Sequence, residues 1–343
     1  MTIRLPAEWE RQSALLLTWP HPDTDWSTLL HEVEPVFVEI TRHASRHQTV
    51  IIACHNDRHL HHIRELLAGQ SVPANRYRLF IAPSNDSWAR DHGPVSVLIN
   101  HRPQLLNFIF NGWGGKFTAD LDNRITTLLH EAGAFGDTPL QTIDLVLEGG
   151  SIESDGSGTL LTTTSCLLSP RRNRGLSRSA IEDRLRQHLG VQRILWLEHG
   201  HLRGDDTDGH IDTLARFADP ETMLYVSSTD PADPNHDSLR HMAEELMKMV
   251  QSNGNPYRLM PLPSPVLRDS GGKYLPASYA NFVILNDAVL VPTYGIDMDG
   301  KALEIFRRCF AGRNITGINC RPLIQQYGSL HCVTMQLPAG IVP

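Results

Sequence analysis

The stretch Glu148-Gly-Gly-Ser-Ile-Glu-Ser-Asp-Gly-Ser-Gly-Thr-Leu-Leu-Thr-Thr163 sets a pattern that the rest of the chain repeats. A polar, glycine-rich start leads into a short strand-like run, a turn, and a second run. The turn Asp155-Gly-Ser-Gly158 offers the positive φ that a tight hairpin requires. Comparable starts occur at Asp91-His-Gly-Pro-Val-Ser-Val97, Asp212-Thr-Leu-Ala-Arg-Phe217, Asn281-Phe-Val-Ile-Leu285 and His331-Cys-Val-Thr-Met-Gln336. Asn286-Asp287 supplies a second such turn, ahead of Val289-Leu-Val291. The anchors Asp91, Glu148 and Asp212 are 148 − 91 = 57 and 212 − 148 = 64 residues apart, and Cys332 follows after 332 − 212 = 120, about two more steps. The count is five units in 343 residues.

Between these units the apolar spacing predicts amphipathic helices at Thr28–His47, His59–Ala68, Asn123–Ala132, Arg178–Leu189, His236–Ser252 and Lys301–Phe310. Strand-like runs stand at Thr49–Ala53, Tyr225–Ser227 and Phe282–Leu285, so helices and strands alternate, as in an α/β protein. The Pro-rich stretch Pro256–Pro265 reads as a loop, but apolar runs continue on both sides and no linker divides the chain. One domain over residues 1–343 is expected.

Composition removes whole classes of function. With 41% apolar and 20% charged residues the chain is globular, not disordered. The balance of 31 basic against 38 acidic residues gives −7, with no basic patch for a nucleic-acid backbone. No stretch approaches the ~18 apolar residues of a membrane helix, and residues 1–9 lack the apolar core of a secretory signal. Five cysteines at irregular spacing read as reduced thiols, which places the protein in the cytoplasm.

If the five units close into a quasi-symmetric ring, their strand starts meet near its axis. Asp91, Glu148, His210 with Asp212, and Cys332 then share one site. A thiolate, a proton-transferring histidine and three carboxylates suit attack on a cationic carbon. Carboxylates repel a developing oxyanion, so they do not suit a peptide or ester; they clamp a planar guanidinium instead.

These residues carry a resemblance. Trp88-Ala-Arg-Asp-His-Gly-Pro94, Glu148-Gly-Gly-Ser-Ile152 with Gly158-Thr-Leu-Leu-Thr-Thr163, Gly209-His-Ile-Asp212 and His331-Cys332 resemble the motif set of the agmatine deiminase family. Trp19-Pro20 and Asp25-Trp26 add to it, and the likeness spans about residues 5 to 340. It implies the pentein fold, a five-bladed pseudo-symmetric α/β-propeller. By the same resemblance Cys332 attacks the guanidinium carbon, His210 moves the protons, and Asp91 and Glu148 bind the guanidinium nitrogens. Asp212, taken to lie two residues along an extended strand, holds the substrate or the histidine. Trp88, Asp206 and Gly328 fall in the substrate pocket. The resemblance implies a small cationic guanidine as partner, agmatine foremost, a homodimer, and neither metal nor organic cofactor. Turnover yields N-carbamoylputrescine and ammonia, a step toward putrescine.

Agmatine ends in an ammonium and arginine in a carboxylate, so the far end of the pocket decides between them. Asp205-Asp-Thr-Asp208 is acidic and favours agmatine, whereas Arg203 argues for arginine. Tyr327-Gly-Ser-Leu-His331 keeps only one glycine of the family's run before the cysteine, and Arg216 and His92 depart from commoner residues. Arginine or peptidyl-arginine deimination is the near alternative. More remote are a metal-dependent guanidine hydrolase built on the segment His199–Asp212, and a non-catalytic binding protein. His59, His61 and His62 are expected to face solvent. Cys54, Cys166, Cys309 and Cys320 are expected to be core thiols.

Overall fold

The computed structural model describes residues 2–342. Five sheets of three or four strands share one plan among the described residues: an antiparallel pair, then a helical crossover to a parallel third strand. Val95–Ile99 pairs antiparallel with Arg102–Ile109, and the helix Asp122–Glu131 leads to the parallel strand Leu140–Val146. Ile152–Ser154, Thr159–Thr163 and Arg193–Leu197 repeat this around the helix Arg178–Leu189. Ala215–Asp219, Thr222–Ser227 and Arg258–Pro263 do so around His236–Leu246. Val283–Ile284, Ala288–Thr293 and Asn314–Asn319 do so around Met298–Cys309.

The fifth sheet joins the two ends of the chain. Thr334–Pro338 lies antiparallel to Gln12–Thr18, which continues in parallel through Thr49–Cys54 to Tyr77–Ile81. Each of the five repeated segments read in the sequence therefore opens the first strand of one sheet.

The helices bury the apolar stripe that their spacing sets. Val33, Phe37 and Ile40 are buried on Leu30–Ala44, Ile181, Leu185 and Leu189 on Arg178–Leu189, and Leu239, Met242 and Leu246 on His236–Leu246. Each such leucine or phenylalanine taken from water stabilises the fold by roughly 1.5–3 kcal/mol. One apolar cluster extends from Leu15 and Trp26 through Leu224 and Phe306 to Cys332, so Cys332 stands on the main core.

Several expectations need correction. The helix expected at His236–Ser252 ends at Leu246, a Met247-Lys248 turn follows it, and Val250 pairs in a bridge with Pro256. The helix expected from Lys301 begins at Met298, because the Asp299 carboxylate accepts the backbone N–H groups of Tyr294, Gly295 and Ile296 and organises the preceding turn. The Pro-rich loop is in part the strand Arg258–Pro263; it lies at a sheet edge, where Pro261 and Pro263 need no outward donor. His59 is buried, with Nε2 donating to the Pro20 carbonyl at 3.2 Å, whereas His61 and His62 are exposed.

Candidate active site

Four short turns immediately before first strands carry the polar groups. Ala89–His92 presents Asp91, and the turn Gly149–Ser151 follows Glu148. Ile211–Thr213 follows His210 and holds Asp212. Asp212 is thus on a 3₁₀ turn and not on an extended strand, and its placement beside His210 comes from that turn. His331 and Cys332 precede Thr334–Pro338.

Gly150 is where these turns converge. A Cβ there would lie 2.6 Å from His210 Nδ1, 2.9 Å from Asp91 Oδ1 and 3.1 Å from Asp212 Oδ2. Its N–H donates to Asp91 Oδ1 at 3.0 Å, and Trp113 Nε1 donates to Asp91 Oδ2 at 3.0 Å. Gly150→Ala is therefore expected to displace the imidazole or a carboxylate and cut turnover by about a hundredfold, while the far-ultraviolet dichroism stays that of the parent. Retained turnover would show that the three groups need not pack against that glycine.

His210 is fully buried between two acids, with Nδ1 3.7 Å from Asp91 Oδ1 and Nε2 3.8 Å from Glu148 Oε2. Burial alone would keep the ring neutral, but Asp91, Cys166 and Glu148 outweigh it and hold its pKa well above the ordinary range. Burial pushes Asp91 up to about 6 against the pull of His210. Glu148 is also fully buried, yet His210 and Arg172 hold it below the usual carboxylate range. Arg172 Nε donates to both Glu148 oxygens at 3.0 and 2.8 Å, its Nη1 to Asp208 at 2.7 Å, and its Nη2 to the Thr207 carbonyl at 2.8 Å.

Cys332 Sγ lies 3.4 Å from Asn281 Oδ1 and 4.0 Å from Asp212 Oδ2. Burial, then Asp212 and Asp91, push its thiol well above the ordinary range. Asp212 Oδ2 in turn accepts from His331 Nδ1 at 2.7 Å, and His331 Nε2 donates to Glu8 Oε2 at 2.8 Å. Glu8 also accepts from Arg216 Nη2 at 2.6 Å, and Arg216 Nε donates to Glu153 at 3.0 Å. Asp212 Oδ1 and both ring nitrogens of His210 are buried without a protein partner among the described residues. They are the open valences of the site.

Above the thiol a pocket of about 380 Å³ opens to solvent. Cys332 and Asp91 form its floor, Trp88, Trp113 and Gly328 its walls, and Asp25, Asp86 and Asp206 line it farther out. No lysine or arginine among the described residues lines it. Burial, with Asp205 adding to it, pushes Asp206 up to about 7, and burial pushes Asp86 up to about 6. Gly328 makes room for Trp88, since a Cβ there would lie 2.0 Å from Trp88 Cζ3.

All eight expected residues thus fall in one place: Asp91, Cys332, Trp88, Asp206 and Gly328 line the pocket, with Glu148, His210 and Asp212 buried behind its floor. Arg203 is exposed and forms no part of the wall, so the argument it offered for a carboxylate-bearing substrate lapses. The ligand set expected from His199–Asp212 does not assemble. His199 pairs with Glu245 at 2.6 Å, Asp205 holds the backbone of Thr207 and Gly209, and Asp208 pairs with Lys116 and Arg172.

Sequence reasoning missed Arg172, Trp113, Asn281 and the role of His331. Cys166 is a core thiol as expected, packed in an apolar cluster with Leu160, Leu167 and Ile181, and its sulfur also lies 4.0 Å from Glu148 Oε2, grouped with His210. Cys54 and Cys320 are buried as expected; Cys309 is only half-buried.

The sheets and the thiol, imidazole and carboxylates at their strand starts define a pentein-type α/β hydrolase of C–N bonds in amidines. The chain belongs to the Porphyromonas-type peptidyl-arginine deiminase family, whose profile matches residues 4–338. It is 32% identical over 363 residues to the agmatine deiminase of Stutzerimonas stutzeri (strain A1501), covering 98% of this chain and 96% of that protein. The structure of a cysteine-to-serine variant of C. jejuni agmatine deiminase with substrate bound is 34% identical, with a TM-score of 0.91 over 99% of this chain and 97% of that one. A Porphyromonas gingivalis structure, provisionally described as an arginine deiminase, is 49% identical, with a TM-score of 0.92 over 99% and 100%.

Proposed function

We propose that the protein is an agmatine deiminase, hydrolysing the guanidinium of agmatine to N-carbamoylputrescine and ammonia. The observation that carries this reading is the pocket mouth: Asp25, Asp86 and Asp206 line it and no cation among the described residues does, which suits an ammonium tail and opposes an α-carboxylate. The names of the relatives from S. stutzeri and C. jejuni support it.

In this reading Asp91 and Glu148 take the guanidinium nitrogens, and the substrate's positive charge offsets the carboxylates that keep Cys332 a thiol in the free protein. As the substrate binds, the thiol gives up its proton to solvent, and the thiolate so formed adds to the guanidinium carbon. His210, protonated at the outset, gives its proton to the departing nitrogen, which leaves as ammonia. The neutral imidazole then takes a proton from the water that attacks the amidino-cysteine. Collapse of the second adduct returns the thiolate and releases the ureido product. Asp212, held by His331, faces the sulfur and steadies the cationic carbon.

The five alike sheets, with the last strand completing the sheet that holds Gln12–Thr18, support a closed five-bladed propeller that forms a single catalytic domain over residues 1–343. Five free cysteines support a reducing, cytoplasmic setting. There the product leads toward putrescine. No helix among the described residues is long and apolar enough to cross a membrane. The protein works as a homodimer on a small cation, without nucleic acid or membrane, and sedimentation velocity tests the dimer.

The deciding experiment is ammonia release from agmatine, arginine and a blocked peptidyl-arginine measured in parallel. Agmatine is expected to exceed the others in kcat/KM by at least about a hundredfold. Preference for arginine, which the P. gingivalis neighbour's description allows, would keep the mechanism and overturn the pocket assignment.

Asp206 gives this reading a pH signature. Its raised pKa means that the carboxylate charge is present only above about 7 in the free protein. An alkylammonium stays protonated well beyond that range. The KM for agmatine is therefore expected to fall about tenfold as pH rises from 6 to 8. In Asp206→Asn it is expected to stay high and nearly flat, with kcat changed far less. A variant whose KM and pH dependence match the parent's would return Asp206 to an ordinary loop acid.

A further inference from the structure

Away from this pocket, a second hollow of about 920 Å³ is lined by His21, Asp23, Glu34, His55, His59 and His62, among others. His21, Asp23 and His55 each offer a ligand-capable atom within 4.8 Å of the other two. We propose that these three residues form a binding site for a divalent first-row transition ion of the zinc class, with water completing its coordination. Two imidazoles and a carboxylate are an N/O set suited to such ions and poorly suited to magnesium or calcium, which take oxygen ligands.

The supporting geometry is that of a metal site's surroundings. His21 is 2% exposed, and its Nε2 faces the Ser84 carbonyl at 3.2 Å and Ser84 Oγ at 3.1 Å. A carbonyl only accepts, so Nε2 carries the proton and Nδ1 keeps its lone pair. That lone pair receives only a long 3.3 Å bond from the Asp23 N–H. His55 Nδ1 likewise receives only a 3.3 Å bond, from the Ser84 N–H. The two rings lie 4.0 Å apart between centroids at 30°. His59 fixes the group from behind, accepting the His55 N–H on Nδ1 at 3.0 Å and donating from Nε2 to Pro20. His62 is committed to Glu34 at 2.7 Å.

Ligands around tetrahedral zinc stand about 3.4 Å apart, given Zn–N bonds of ~2.0–2.1 Å. Separations of at most 4.8 Å thus have to close by no more than about 1.4 Å to reach that spacing, and Asp23 is exposed and free to swing. Closure would pin the segment between Gln12–Thr18 and Leu30–Ala44. That segment also carries Asp25 into the reactive pocket and Trp26, whose Nε1 donates to Asp86 at 2.9 Å. The site is thereby a brace for the loop that forms one side of the pocket mouth.

The test titrates the full chain with Co(II) and Zn(II). The parent is expected to bind one Co(II) with a visible spectrum lacking any thiolate-to-cobalt charge-transfer band. It is also expected to bind Zn(II) with an affinity that falls at least tenfold in both Asp23→Asn and His55→Gln. Both substitutions lie toward the surface, and their melting temperatures without metal should match the parent's. Unchanged affinity in the two variants, no saturable binding, or a thiolate band that marks the Cys166–His210 cluster as the place of binding would each overturn the proposal.

Discussion

Cys332→Ala is expected to lower the turnover of agmatine by at least about a thousandfold, because no other group in the pocket can form the covalent intermediate. Agmatine should still bind within a few-fold of its affinity for the parent, as read by calorimetry. The reason lies in the charge state of the free protein. Cys332 is a thiol there, pushed up by burial, Asp212 and Asp91. Removing it takes away no charge, and the carboxylates that attract the guanidinium remain. The side chain is 5% exposed and its polar contacts are the long ones to Asn281 and Asp212, so the fold should tolerate the change. Acid-quenched parent enzyme should carry an amidino adduct on Cys332 by mass spectrometry, and the variant none. A variant retaining more than about 1% of the parent rate would falsify the assignment of Cys332 as nucleophile.

How far this site can be read without a structure depends on what each residue's neighbours in sequence reveal. Asp91, Glu148, Asp212 and Cys332 are legible because each precedes a strand-like run in a polar, glycine-bearing turn, and the five runs can be counted. The helices are legible to within a few residues because their apolar stripes face the sheets.

What a sequence leaves out is the partner across the chain. Arg172 sits in Arg171-Arg-Asn-Arg174, which looks like a solvated basic run, yet it is 5% exposed and grips Glu148. Glu8 lies 323 residues before His331 and meets it at 2.8 Å. Cys166, three residues past Thr163, is a core thiol, and nothing in its spacing reveals that its sulfur also lies 4.0 Å from Glu148 Oε2. Arg203 fails in the opposite sense. Seven residues before His210, it is close in sequence, and the turns at Gly204 and Gly209, both with positive φ, carry the chain away from it. Pro261 and Pro263 mislead because proline is excluded from inner strands and not from edges.

Arg172→Met follows from the same long-range pairing and carries the largest expected effect on stability. It strips a buried carboxylate of its cation, leaving Glu148 fully buried with His210 as its one remaining charged partner of opposite sign. Breaking a buried pair in this way costs about 3–5 kcal/mol, which urea denaturation reads directly. The Thr207 carbonyl loses its Arg172 donor and Asp208 keeps only Lys116, so the loop ahead of His210 loses its tie to Glu148. Turnover should fall about a hundredfold or more, the range set by a misplaced general acid. A charge penalty and a general loss of packing are separated by the double variant Arg172→Met, Glu148→Gln. If the penalty is the unpaired charge, neutralising Glu148 restores most of the lost stability while turnover stays low, since His210 then lacks one of the groups, beside Asp91 and Cys166, that raise its pKa. If the double variant is as unstable as the single one, or less stable, Arg172 acts through packing, and the proposed role of its charge in setting Glu148 is wrong.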